Sequence, residues 1–184
     1  MKSIKIKERY VAFLRGINVG GHHKLPMADL RREMERMHFE NVITILNSGN
    51  IIFDAVTSDL ESLEIMLSSR LEKAFDFRVP TIIRRAKMIN ELLESAPFKD
   101  IEITKDIRLY VSFLRRVTEP DIELPLTSDD NAYTIIKKQN KTIVSVLDLS
   151  ISNTPKGMGV LEKFYGKDIT TRNWNTIVRI GKKL

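Results

Sequence analysis

Two stretches of this chain combine residue types that hold anions. The first is Leu14-Arg15-Gly16-Ile17-Asn18-Val19-Gly20-Gly21-His22-His23-Lys24. Three glycines and an asparagine sit where the backbone must turn, and a cation stands near each end. Glycine reaches conformations that aim successive N–H groups at one point. Such a nest, with the N-terminus of a following helix, attracts phosphate or carboxylate. The stretch lacks the Gly-Lys-Ser/Thr ending of a Walker A loop and the Gly-x-Gly-x-x-Gly dinucleotide spacing. The plainer alternative is a strand-to-helix connection that needs glycine for geometry alone, although such connections are ordinarily shorter.

The second stretch lies near the end of the chain. A last helix capped by Thr170 or Thr171 would put Trp174, Ile177, Val178 and Gly181 on one face. Arg172, Asn175, Thr176 and Arg179 would then gather on the other, with Asn173 beside them. Ordinary exposed helix faces carry Glu and Lys, so Asn and Thr here point to a retained polar contact, or else to a plain solvated face. Between the two stretches, Asn47-Ser48-Gly49-Asn50 reads as a hairpin tip whose polar residues turn chemistry explains. Ser48 and Asn50 join the site if that tip meets the glycine loop. Ser48 has no identifiable activating base, so a nucleophile role finds no support. His22, His23 and His38 lack metal-ligand spacing, so no metal and no cofactor are expected, and His22 remains open as a general base.

The candidate ligand-binding residues are therefore Arg15, Gly16, Asn18, Gly20, Gly21, Lys24, Ser48, Asn50, Arg172, Asn173, Asn175 and Arg179. The elements that must position them follow from periodicity. Tyr10–Arg15 alternates as a strand with both faces apolar but for Arg15, hence central. Pro26 suits the first turn of a helix carrying Met27, Leu30, Met34 and Met37 at helical spacing. Val42–Leu46 and Ile51–Phe53 flank the hairpin tip. Ser58 and Glu61 have capping-box spacing before a helix with Leu60, Leu63, Leu67, Leu71 and Phe75 inside. Val79–Ile83 is a strand, with Pro80 marking either an edge or the strand's start. Lys87–Ser95 is helical and Pro97 stops it.

The order β-α-β-β-α-β is that of ferredoxin-like folds. The chain then repeats itself. Tyr110-Val-Ser-Phe-Leu-Arg115 restates Tyr10-Val-Ala-Phe-Leu-Arg15, and Tyr133–Lys138 with Thr142–Leu147 restates the hairpin. Where the first copy has its glycine loop, the second has the acidic, proline-bearing Val117–Leu126. A short helix is expected over Val160–Tyr165. The predicted architecture is α+β with a largely antiparallel sheet. It comprises two related subdomains from an internal duplication, residues 1–86 and 87–184, packed as one compact unit. Phe13 and Phe53 fall where an RNA-recognition motif stacks bases, but with one aromatic where three are expected, core packing explains them better.

Composition narrows the partners. The net charge of +6 suits a phosphate-bearing small molecule or nucleic acid, or simply a well-solvated basic surface. No window is apolar enough to span a bilayer, so no membrane role is expected. The absence of cysteine excludes disulfides and thiolate chemistry and suits a reducing cytoplasm. Oligomeric state is not encoded in these patterns.

The motifs Leu14-Arg-Gly-Ile-Asn-Val-Gly-Gly21, Ser48-Gly-Asn50 and Thr171-Arg-Asn-Trp-Asn-Thr176 resemble a bacterial family called domain of unknown function sixteen ninety-seven. The resemblance spans nearly the whole chain. It implies a duplicated α+β structure and brings no reaction, cofactor or substrate. The functional expectation is thus binding of a phosphate-bearing ligand or nucleic-acid backbone by the glycine loop and last helix. An enzyme on a small phosphorylated substrate, with His22 as acid/base and Arg15 steadying charge, or a structural, partner-binding module are the alternatives.

Overall fold

A continuous apolar run, Tyr10–Leu14, marks Lys7–Leu14 as a strand, β1, and the computed structural model puts it in the middle of a sheet. The structure describes residues 6–116 and 122–184. The basic opening, Met1–Lys5, and the first part of the acidic segment, Val117–Asp121, lie outside them. The chain divides into two units, Met1–Glu91 with Arg179–Leu184, and Leu92–Val178.

In the first unit β1 is followed by α1 (Met27–Arg36), β2 (Glu40–Ile45), β3 (Asn50–Val56), α2 (Leu60–Phe75), β4 (Thr81–Arg85) and the start of α3 (Ala86–Glu94). The sheet order is β2-β3-β1-β4, antiparallel throughout. One face of the sheet, including Tyr10, Ala12, Leu14, Phe53 and Ile83, shares a core with Leu30 and Met34 of α1 and Leu63, Leu67 and Leu71 of α2. Val11, Phe13 and Ile52 on the other face are also fully buried, as a central strand pair requires. Phe13 and Phe53 are thus core residues on opposite faces, with no ring surface left for stacking a base.

Two corrections concern helix starts. Asp59, not Ser58, caps α2: it has extended backbone geometry and its carboxylate accepts from Ser62 N–H at 2.9 Å. The Ser58 hydroxyl instead donates to Val56 O. β4 is an edge strand that begins directly after Pro80, so both alternatives for that proline hold, and α2 covers its outer backbone. Glu64 accepts from Ile83 N–H at 2.7 Å, and Ser68, one turn on, donates to Val79 O at 2.8 Å.

The second unit contains β5 (Ile107–Leu114), β6 (Leu126–Thr127), β7 (Tyr133–Gln139), β8 (Thr142–Asp148), α4 (Thr154–Tyr165), β9 (Ile169–Asn173) and most of α5 (Trp174–Gly181). Its sheet order is β6-β7-β8-β5-β9, again antiparallel. α4 starts six residues before the expected Val160. Asn153 caps it by accepting from Lys156 N–H, and Pro155 sits in its first turn. Gly157 lies within the helix at a close approach, where a Cβ would stand 3.1 Å from Leu147 and Tyr133 side chains.

The larger correction is at the end of the chain. Residues 169–173 are a strand paired with β5 from Tyr110↔Asn173 to Leu114↔Ile169, not the first turn of a helix. Ile169, Thr170 and Thr171 are β-branched, and strand packing outweighs the capping tendency of threonine. The helix begins at Trp174, where Asn173 Oδ1 accepts from Asn175 N–H at 2.9 Å.

The pairings of the two sheets correspond. Leu14 N–H donates to Gly49 O and Arg15 N–H to Pro80 O, at 2.8 and 2.9 Å. Leu114 N–H donates to Lys141 O and Arg115 N–H to Asp168 O, at 2.9 and 3.0 Å. Val11 faces Arg84 in one sheet and Val111 faces Arg172 in the other. Each of these arginines is buried and donates from Nη1 to the carbonyl of the residue before it, Ile83 at 2.8 Å and Thr171 at 2.9 Å.

Candidate functional site

The glycine loop connects β1 to α1, and it is a miniature hairpin. Val19 and His22 form an isolated bridge, with His22 N–H donating to Val19 O at 3.1 Å. Between them Gly20 and Gly21 both take positive φ, +59° and +78°, which a two-residue turn of the I′ kind requires. A Cβ on either would meet nothing, so backbone conformation rather than packing demands glycine there.

Asn18 fixes the base of this hairpin. Its Nδ2 donates to Leu25 O at 3.0 Å and to Asn47 O at 2.8 Å, while its Oδ1 accepts from Leu25 N–H at 2.8 Å. Both ends of the amide are therefore engaged, and the residue closes the loop on itself while tying it to the β2–β3 hairpin tip. Tip and loop do meet, because β3 pairs antiparallel with β1 and starts where β1 ends. Gly49, buried beneath, has room only for hydrogen: an added Cβ would lie 2.6 Å from Ile17 Cδ1 and 2.7 Å from Leu14 Cβ.

Asn18→Ala should cost roughly 1–3 kcal/mol, because it strands two carbonyls and an amide. Hydrogen exchange is the sharper measurement. Leu25 N–H, bonded to Asn18 Oδ1, should lose at least about tenfold protection, whereas unchanged protection would mean the clamp is not holding.

The remaining candidates separate into two groups. In the first unit, Asn50 is fully buried and its Nδ2 donates to Ile45 O at 2.8 Å and Ser48 Oγ at 3.0 Å. Asn50 and Ser48 thus build the tip. Arg15 is half-buried, while Gly16, Gly20, Gly21, His22 and Lys24 are exposed. The N–H groups of Gly16, Gly20 and Gly21 meet no acceptor among the described residues, and Lys24 has no ion-pair partner among them. His23 is held in place: its ring stacks on Phe77 with centroids 4.7 Å apart, and Nδ1 stands 3.1 Å from Gly16 O.

At the other end of the chain, Arg172 is a buried strand residue and not part of a helical surface. Its Nη1 donates to Thr170 Oγ1 at 2.8 Å, and burial pulls its pKa down to about 10. Asn173 is spent on the turn into α5, and Asn175 and Arg179 are exposed on that helix. Two charged residues escaped the sequence reading, Glu64 and Arg84. Both are buried, with Glu64 Oε1 3.7 Å from Arg84 Nη1. Glu64 has the spacing of the α2 stripe, four residues after Leu60 and three before Leu67, so an acid on a buried stripe was the available signal. Among the described residues no group of three or more His, Cys, Asp or Glu could hold a metal ion, and no helix is long and apolar enough to cross a membrane.

Fold and loop together define an α+β protein with antiparallel sheets and a glycine hairpin seated on a second hairpin tip. A family model described as "Protein of unknown function (DUF1697)" matches residues 7–143, and the chain belongs to that family. Among solved structures it is similar to the conserved bacterial protein SP0830 from Streptococcus pneumoniae. Identity is 26%, with 96% of this chain and 98% of that one covered and a TM-score of 0.68. No curated protein matches the chain.

Proposed function

We propose that the glycine hairpin of the first unit binds a phosphate group, carried by a small ligand or by a nucleic-acid backbone. The observation that carries this reading is a rigid loop with unspent donors. Asn18 and the seat on Gly49 preorganise the hairpin, while the amides of Gly16, Gly20 and Gly21 and the Lys24 ammonium have no acceptors among the described residues. Donors fixed before the ligand arrives lose little entropy on binding. The reading needs only residues of the first unit, and buried Arg172 takes no part in it.

Titration with inorganic phosphate by calorimetry, and with short RNA and DNA over a salt series, tests it. Wild-type protein should take up phosphate. If the phosphate is part of a polymer, Lys24→Ala should reduce the slope of log affinity against log salt by about one. Heat-silent phosphate together with no salt-dependent retention of either polymer would reject the reading.

We also infer that the two units derive from one duplicated element, ferredoxin-like (βαββαβ) in the first unit and with the short strand β6 between β5 and β7 in the second. Supporting this are the strand orders β2-β3-β1-β4 and β7-β8-β5-β9, the matched pairings of Leu14 with Leu114 and Arg15 with Arg115, and the buried arginine at the same register in each sheet. Duplication followed by divergence accounts for a binding loop in the first copy alone.

A further inference from the structure

His23 closes the glycine hairpin, and its ring is held on three sides. It lies on the ring of Phe77, with centroids 4.7 Å apart and planes 17° from parallel. Phe77 is half-buried and packs against the core of the first unit, which supports the pair from below. Rotation of the imidazole is fixed by Nδ1, which stands 3.1 Å from Gly16 O. A carbonyl only accepts, so Nδ1 carries the hydrogen. The backbone is tied as well, since Asn18 N–H donates to His23 O at 3.1 Å. Yet His23 is exposed. Phe77 covers one face of its ring, and no second ring lies against it among the described residues.

The neighbours of this ring are the hairpin's unspent donors. Gly16 supplies the carbonyl that orients the imidazole, and its own N–H meets no acceptor among the described residues. Gly20 and Gly21 form the turn that His23 closes, and Lys24 is the next residue. A bare phosphate or a sugar phosphate would use the donors and leave the ring idle. A ligand that uses both carries a flat heteroaromatic group beside its phosphate.

We propose that the phosphate taken by the hairpin belongs to an unpaired nucleotide whose base stacks on the outer face of His23. This rests on the phosphate reading above and adds a second contact to it. Phe13 and Phe53 are closed to such a contact because they are buried, whereas His23 is not. Stacking on an aromatic ring tolerates any base, because every base has a π-face. Bases within a duplex are already stacked, so the ligand is a free nucleotide or part of a single strand.

Calorimetric titration with inorganic phosphate, ribose 5-phosphate, AMP and a short oligoadenylate tests it. Wild type should bind AMP at least about tenfold more tightly than ribose 5-phosphate. His23→Ala should bring that ratio to within about twofold, and His23→Phe, which keeps a flat ring on Phe77, should retain most of it. The ratio is taken within each variant, so a loosened hairpin that weakens both ligands alike leaves it unchanged. In proton NMR the His23 ring signals should move upfield with AMP and stay in place with ribose 5-phosphate. Oligoadenylate separates the two sources: binding tighter than AMP that weakens steeply with salt supports a strand, and affinity no greater than AMP supports the free nucleotide. Equal affinity of wild type for AMP and ribose 5-phosphate overturns the base contact while phosphate uptake stands. A preference for AMP that survives His23→Ala overturns it too. Heat-silent phosphate, ribose 5-phosphate, AMP and oligoadenylate together would reject the phosphate reading itself.

Discussion

Glu64→Ala is expected to destabilise the first unit by roughly 3–5 kcal/mol, the range for removing one partner of a buried ion pair. Glu64 is 3% and Arg84 2% exposed. Burial brings the guanidinium pKa down to about 10, against the opposing pull of Glu64. Arg84 therefore remains charged at neutral pH, and the alanine variant would keep a buried cation whose nearby acid has gone. The same change strips the acceptor from Ile83 N–H on an edge strand. Glu64→Gln should fall between wild type and alanine, since its amide oxygen can still accept from Ile83. The double change Glu64→Leu with Arg84→Met should cost less than the alanine variant, because packed apolar side chains avoid the desolvation that both charges undergo, leaving about 1–3 kcal/mol for the Ile83 N–H that still loses its acceptor. Urea denaturation reads all three as shifts in midpoint at constant slope. A loss below about 1 kcal/mol in the alanine variant would show that the pair is solvated in practice.

That pair also shows where sequence stops informing. The unbroken apolar run of Tyr10–Leu14 announced a strand buried on both faces, and Pro80 announced an edge or a strand start, because each signal is local to the element that carries it. The conformation of Gly20-Gly21 was equally local. Whether the hairpin tip reaches the glycine loop was not, since it depends on β3 lying next to β1, which no spacing encodes. Residues 169–173 misled for a different reason. The helical spacing of Trp174, Ile177 and Val178 is real, and threonine serves both caps and strands, so the helix was extended backward over a strand that only the pairing with β5 reveals. Arg172 was thereby read as surface chemistry when it is a buried cation. Its counterpart Arg84 follows Ile82 and Ile83, and only placement in the sheet shows that both sides of that strand are buried.

Gly49→Ala should be the most damaging single-carbon change in the loop region, at about 2–5 kcal/mol from two separable causes. The first is conformational: an alanine at φ +75° costs roughly 1–2 kcal/mol wherever it sits. The second is steric. The new Cβ would lie 2.6 Å from Ile17 Cδ1 and 2.7 Å from Leu14 Cβ, and the latter belongs to a central strand that cannot retreat. Overpacking of that kind adds about 1–3 kcal/mol. Gly20→Ala provides the control, since φ is +59° there but no atom lies within 4 Å of the added carbon. It should show the conformational cost alone. The difference between the two variants in denaturant midpoint therefore measures how firmly the hairpin tip is seated under the loop. The clamp supplies an independent reading of the same quantity, because lifting the tip carries Asn47 O away from Asn18 Nδ2. Leu25 N–H should then exchange faster in Gly49→Ala than in Gly20→Ala. Equal midpoints and equal exchange would mean that tip and loop do not form one rigid body, and the preorganisation on which phosphate binding rests would be gone with it.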